Sequence, residues 1–285
     1  MRKALGMFLL LAAANFASAA GNGPGAVRKQ AEASLLVTGT IAIEADGSVS
    51  AVDLDSPEKL PKGIAAFVGG SAADWHFEPV LADGKPVAVR TKMSVRLVGK
   101  SAGKGQMTVS IRGAEFGDYQ ARPEAERITG RKMTPPGYPE SAAQVGAQGT
   151  VYLLIRIASD GSVSDVATEQ VNLRIIASEP QMNLFRNQFA RTAIVAARRW
   201  TFKPPTEGED ARQTQWAVRI PVDFTFGDKR EYGEWEAYVP GPRERIAWAQ
   251  QDDAAFTPDA LPEGGIYLAG SKGPKLLTSL GDEGI

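Results

Sequence analysis

The chain has 285 residues, 43% of them hydrophobic and 23% charged, with a formal net charge of -1 and no cysteine. A near-neutral balance supplies no basic field for nucleic acid, whose binding rests on clustered Lys and Arg displacing counterions from phosphate. The absence of thiols excludes disulfides, a cysteine-borne lipid, cysteine-ligated metal and thiol nucleophiles, so apolar burial and strand pairing must hold the fold.

The length exceeds the ~100 to 200 residues usual for one domain, which points to two modest ones. At the N-terminus, Arg2 and Lys3 precede an apolar run from Ala4 to Ala14 and the small-residue site Ala17-Ser18-Ala19. This pattern predicts a cleaved secretory signal over residues 1–19. The alternative is an uncleaved membrane anchor over residues 1–20, but Ala4 to Ala20 is short against the ~20 apolar residues a bilayer needs, and Asn15 and Ser18 interrupt it.

Residues 35–112 read as a first domain. Ile41 and Ile43 alternate before Asp46-Gly47, a pair that tolerates positive φ and favours a tight hairpin. From Val49 to Val52 the alternation breaks, which predicts a bulge. A helix follows from Ile64 to Ala73, weakened by Gly69-Gly70 at roughly 1 kcal/mol per glycine relative to alanine. Trp75-His76-Phe77-Glu78-Pro79 closes it, a last strand runs Val87 to Val98, and Met107 to Ile111 can extend the same sheet. Residues 113–132 read as linker.

Residues 133–227 read as a second domain. Val151, Leu153, Ile155 and Ile157 alternate on one face of a strand that Asp160-Gly161 turns, and Val163 to Val166 breaks the alternation as before. Phe185, Phe189, Ala193, Val195 and Ala196 are spaced for one helical stripe, with Arg186, Arg191, Arg198 and Arg199 off it. Trp200-Thr201-Phe202-Lys203-Pro204 ends the helix, and a last strand runs Trp216 to Phe226. The tail, residues 228–285, contains Trp235, Trp248 and several Pro and Gly without sustained period, and is predicted to be partly disordered.

Three blocks recur in one order. Gly39-Thr40-Ile41 through Asp46-Gly47-Ser48-Val49-Ser50 to Val52 matches Gly149-Thr150-Val151 through Asp160-Gly161-Ser162-Val163-Ser164 to Val166. The aromatic signatures follow, then Ala88-Val89-Arg90 against Ala217-Val218-Arg219. This order implies duplication of a compact unit. The predicted fold class is therefore α+β, with two tandem domains, each a small antiparallel sheet carrying one packed helix.

In the second copy, Tyr138-Pro139-Glu140-Ser141, Gly149-Thr150-Val151, Asp160-Gly161-Ser162-Val163, the run from Ala193 through Trp200 to Pro204, and Arg219-Ile220-Pro221-Val222-Asp223-Phe224 stand in an order that resembles the C-terminal domain of the TonB energy-transducer family. The first copy looks like a divergent relative: it lacks the Tyr-Pro pair and has Met93 where the second has Val222. The resemblance implies a periplasmic protein-binding domain that adds a short extended segment of a partner, a TonB-dependent outer-membrane transporter or another envelope protein, to the edge of its sheet. An edge strand offers unpaired backbone donors and acceptors for such a partner. The expected partner-binding residues are Trp216, Ala217, Val218, Arg219, Ile220, Val222 and Phe224, with pairing interrupted at Pro221, which lacks an N–H. The competing reading is that the tail or the first domain covers this strand.

Family transducers carry a membrane anchor and a long proline-rich spacer. This chain shows no such spacer, which favours a non-energising periplasmic module over the alternatives, an anchored energy transducer or a peptidoglycan-associated structural protein. Catalysis is not expected: His76 is the sole histidine, the second copy has Thr201 in its place, and no serine stands in a nucleophile elbow. The carboxylate pairs Glu207 with Glu209 and Asp252 with Asp253 fall in polar segments. No cofactor, metal or small-molecule substrate is expected, since the Asp-Gly pairs lack the further ligands of a calcium loop. Trp75 and Trp200 read as core rather than as a carbohydrate platform, because one indole buries ~150 to 250 Å². The helix arginines could contact cell-wall anions but read better as a solvated face.

Overall fold

A computed structural model describes residues 23–103, 106–227, 231–249, 254–270 and 273–280; the predicted signal over residues 1–19 lies outside them. Helix α1 (Pro24–Arg28) leads into β1 (Glu32–Ile43), β2 (Val49–Leu54), α2 (Ile64–Ala73), the small hairpin β3 (Leu81–Ala82) and β4 (Lys85–Pro86), then β5 (Val89–Gly103) and β6 (Gln106–Phe116). The chain continues through β7 (Thr129–Lys132), α3 (Glu140–Gln144), β8 (Gly149–Ala158), β9 (Val163–Leu173), α4 (Glu179–Ala197), β10 (Thr201–Lys203), β11 (Gln215–Phe224), β12 (Glu236–Tyr238) and β13 (Tyr267–Leu268). Two main antiparallel sheets result, one ordered β12-β1-β5-β6 with β2 also on β1, the other β13-β11-β8-β9, beside the two-stranded pairs β3-β4 and β7-β10. The α+β class is as expected, and the strand foreseen at 107–111 is the first half of β6.

Each sheet has a core under one helix. Leu35, Val37, Ile41, Ile43, Val95 and Leu97 pack with Ile64, Val68 and Ala72 of α2 in the first. Val151, Leu153, Ile155, Val218 and Ile220 pack with α4 in the second. The buried stripe of α4 is Met182, Phe185, Phe189, Ala193 and Ala197. Val195, expected on that stripe, is 48% exposed, because two residues beyond Ala193 is ~200° around a helix. Ser178 caps α4, its N–H donating to Gln181 Oε1 at 3.1 Å, and Pro180 occupies the first turn, where its missing donor is harmless.

The two Asp-Gly hairpins are built alike. Glu44 N–H donates to Ser48 O at 2.8 Å and Ala158 N–H to Ser162 O at 2.9 Å. Asp46 Oδ1 accepts from the Ser48 amide at 2.9 Å, and Asp160 Oδ1 from the Ser162 amide at 2.8 Å. Hydrogen bonds from these serines hold both carboxyls below their ordinary value. Gly47 and Gly161 have φ of 90° and 82°, and a Cβ on either would strike the carbonyl oxygen of Phe77 or Phe202. The close approach has a purpose: Phe77 N–H donates to Gly47 O and Phe202 N–H to Gly161 O, each at 2.8 Å, pinning the post-helix aromatic to the hairpin. Both second strands also bulge, with Ser50 and Ser164 as the extra residues. Trp75 and Trp200 are both buried, the latter donating its indole N–H to Thr134 O at 2.8 Å.

The described part of the tail alternates between the sheets. β12 pairs with β1 at Glu32–Ser34, Val239 with Leu173 at the end of β9, and Glu244 N–H donates to Glu169 O at 2.7 Å. Ala114 N–H of β6 donates to Ala255 O at 2.9 Å, β13 lies on β11, and Glu78 N–H donates to Lys275 O at 2.9 Å. Ala255 and Leu276 enter the first core and Val239 the second. This segment lacks periodicity in sequence because it supplies residues one to three at a time to edges that already exist.

Candidate strand-pairing site

Strand β11 lies between β8 and β13, with Val218 opposite Ile155 on one side and Leu268 on the other. In an antiparallel strand, successive residues direct their backbone groups to opposite neighbours. Ala269 N–H donates to Ala217 O at 2.8 Å, which assigns Ala217, Arg219, Pro221 and Asp223 to the β13 side. Trp216, Val218, Ile220, Val222 and Phe224 direct theirs to β8 and bury their side chains in the core.

The alternation divides the residues singled out from sequence. Ala217 and Arg219 carry outward backbone groups, and in this conformation both are engaged by Tyr267–Ala269. The other five shape the strand from below: Trp216 donates its indole N–H to Asp210 O at 2.9 Å, and Phe224 stacks on Phe189 at 4.5 Å. Pro221 and Asp223 face the same outward side, beyond the end of β13. They were legible as members of that set only once the direction of one hydrogen bond was fixed. Pro221 withholds a donor there, a known means of limiting uncontrolled pairing at an edge.

The face of the sheet opposite α4 carries buried ion pairs. Arg219 donates to Glu169 through Nε at 2.6 Å and Nη2 at 2.9 Å, with both side chains almost wholly buried, and its guanidinium lies 4.4 Å from the centre of the Phe256 ring. Arg174, just past β9, pairs with Asp223, donates to Phe224 O at 2.9 Å and reaches Glu236 of β12 at 3.4 Å. One guanidinium thereby joins the end of β11 to the tail. At the same end, Tyr138 stacks on the half-exposed Phe226 at 4.3 Å and donates its hydroxyl to Ala147 O at 2.6 Å; burial pushes that phenol up to about 12.

Residues 134–226 match the family model described as Gram-negative bacterial TonB protein C-terminal. Residues 134–226 are a TonB C-terminal domain. Over 100 residues the chain is 32% identical to Protein TonB of Xanthomonas campestris pv. campestris, covering 35% of this chain and 38% of that protein. It is 30% identical over 89 residues to Protein tonB2 of Pseudomonas aeruginosa, covering 31% and 28% respectively. The chain thus spans well under half the length of the curated relatives it matches. The solution structure of the Pseudomonas aeruginosa TonB C-terminal domain aligns with 36% of this chain and 90% of its own, at 25% identity and a TM-score of 0.25. The matched segment begins just before Tyr138-Pro139 and ends at Phe226, so β11 is the last strand of the TonB C-terminal domain, and β12 and β13 lie beyond it. No helix among the described residues is long and apolar enough to cross a membrane.

Proposed function

We propose that the TonB C-terminal domain of this chain binds an extended segment of an envelope protein, foremost an outer-membrane transporter, in the periplasm, by strand addition to β11. The observation that carries this reading is the outward edge of β11, where the groups of Ala217 and Arg219 are held by a strand of only two residues. A longer partner strand can take their place and continue to Asp223. The matched domain and its relatives, all TonB proteins, support a role in envelope transport. The paired hairpins at Gly47 and Gly161 support reading residues 35–112, with β6 carrying the sheet on to Phe116, as a divergent copy of the same unit.

The test uses the cysteine-free background, in which one introduced thiol is unique. Ala217→Cys in the full chain, expressed in its native envelope, is expected to form a disulfide with a transporter bearing cysteines along its periplasm-facing N-terminal segment, at every second position only. Crosslinks with no such alternation, or none with any transporter, would reject strand addition at β11.

A further inference from the structure

The first sheet contains a strand edge that the proposed function leaves unused. Gly117 N–H donates to Lys92 O at 2.9 Å, and β6 pairs with β5 no further than Phe116 opposite Met93. That bond places the backbone groups of even-numbered residues at this end of β5 on the β6 side. Arg90 therefore directs its N–H and C=O past the end of β6, where no strand of the described residues pairs with it. Its odd-numbered neighbours Val89 and Thr91 face Ile43 and Ile41 of β1.

The vacated side is a groove of about 900 Å³. Val89, Phe116, Leu268 and Pro274 contribute apolar surface to it. Its charges balance: Asp55, Glu78, Glu115 and Asp118 stand on the lining with Arg90, Lys92, Arg122 and Lys275, and Lys275 pairs with Glu78 at 3.5 Å across it. A second edge borders the same space. Since Tyr267 and Ala269 face β11, Leu268 turns its own N–H and C=O away from it, toward the groove it lines.

We propose that this groove binds an extended, uncharged peptide segment of another protein, added as a strand to β5 at Arg90. Three observations fix the occupant's chemistry. The backbone groups of Arg90 call for a main-chain partner, the apolar lining calls for aliphatic side chains, and the balanced charges select against a strongly charged one. The chain also shows what fits the matching Ala-Val-Arg block: Val218 and Arg219 carry Leu268 and Tyr267 in extended pairing. The site lies on the far side of β13 from β11, and Tyr267 and Leu268 border both.

The experiment titrates the full chain with a fluorescein-labelled, C-terminally amidated Thr-Val-Thr-Val-Thr peptide, read by anisotropy and by amide NMR. Saturable binding is expected, with shifts and exchange protection centred on Arg90. N-methylation of alternate peptide amides is expected to weaken binding at least tenfold in one phase and little in the other. Arg90→Pro, which removes a groove-facing donor and spares the bonds to β1, is expected to weaken it similarly. If that variant fails to fold, the two N-methyl phases on the unaltered chain decide. Absence of saturable binding, equal loss in both phases, shifts centred on β11, or a groove closed by dimerisation of the chain would each overturn the proposal.

Discussion

Replacing Ala269 by proline tests whether β13 and a partner compete for β11. The substitution removes one donor, the amide that reaches Ala217 O at 2.8 Å, and leaves β11 itself intact. The residue before a proline is driven to extended backbone, which Leu268 already adopts within β13. One such hydrogen bond is worth about 0.5–1.5 kcal/mol net, so the fraction of molecules with β13 detached should rise about 2- to 12-fold. A ligand that needs the detached form has its apparent affinity reduced by that fraction, and the variant should recover the same factor. The assay is competition anisotropy with a peptide from the periplasm-facing N-terminal segment of a transporter, alongside thermal melting to confirm a folded chain. Unchanged or weaker peptide binding by a folded variant would refute competition at Ala217 and leave β13 as a permanent part of the sheet.

Removing one member of the buried Arg219–Glu169 pair, as in Glu169→Leu, should cost ~3–5 kcal/mol, because an unneutralised guanidinium stays buried. Adding Arg219→Met should restore most of it in urea denaturation, and an equal deficit in the double variant would show that packing against Phe256 matters more than charge. Gly70→Ala in α2 should stabilise by about 1 kcal/mol, since a methyl there meets nothing within 4 Å and helix propensity improves; a lower denaturation midpoint would contradict this. Gly161→Ala should instead destabilise by more than ~1 kcal/mol, because φ is 82° and the methyl strikes Phe202 O, and Gly47→Ala should behave alike if the two hairpins do the same job. The Asp160 carboxyl is held below its ordinary 3.8 by the Ser162 hydrogen bonds, so its contribution to stability is present above that value and fades as pH falls through the lowered pKa. Carbon-detected titration of Ser162→Ala should move it back up, and no movement would discount the turn as the cause.

What could be seen in the sequence was local. Asp46-Gly47 and Asp160-Gly161 announce their hairpins because each glycine takes positive φ and each aspartate accepts from the amide two residues on. The α4 stripe announces itself through its period, and its one misplaced member, Val195, failed by angle rather than by chemistry. The proposed site was half legible: β11 could be singled out as the strand offered for pairing, but not which of its residues face outward. Fixing that phase required a bond from Ala269, 52 residues away by the numbering, in a segment with no periodic signal. Long-range partners contributed in ones and twos leave no local pattern to read.

The attachment of the tail to the first sheet has a consequence for how the chain is made. His76 N–H donates to Thr278 Oγ1 at 2.7 Å across a sequence separation of 202 residues. At ~5–20 residues per second of synthesis, the extended segment His76–Glu78 waits roughly 10–40 s for the segment that covers it. The growing chain must shelter that edge until Thr278 emerges, and the outward side of β6 at Ala114 until Ala255 does. The order of emergence therefore makes the earliest-made sheet the last to be finished.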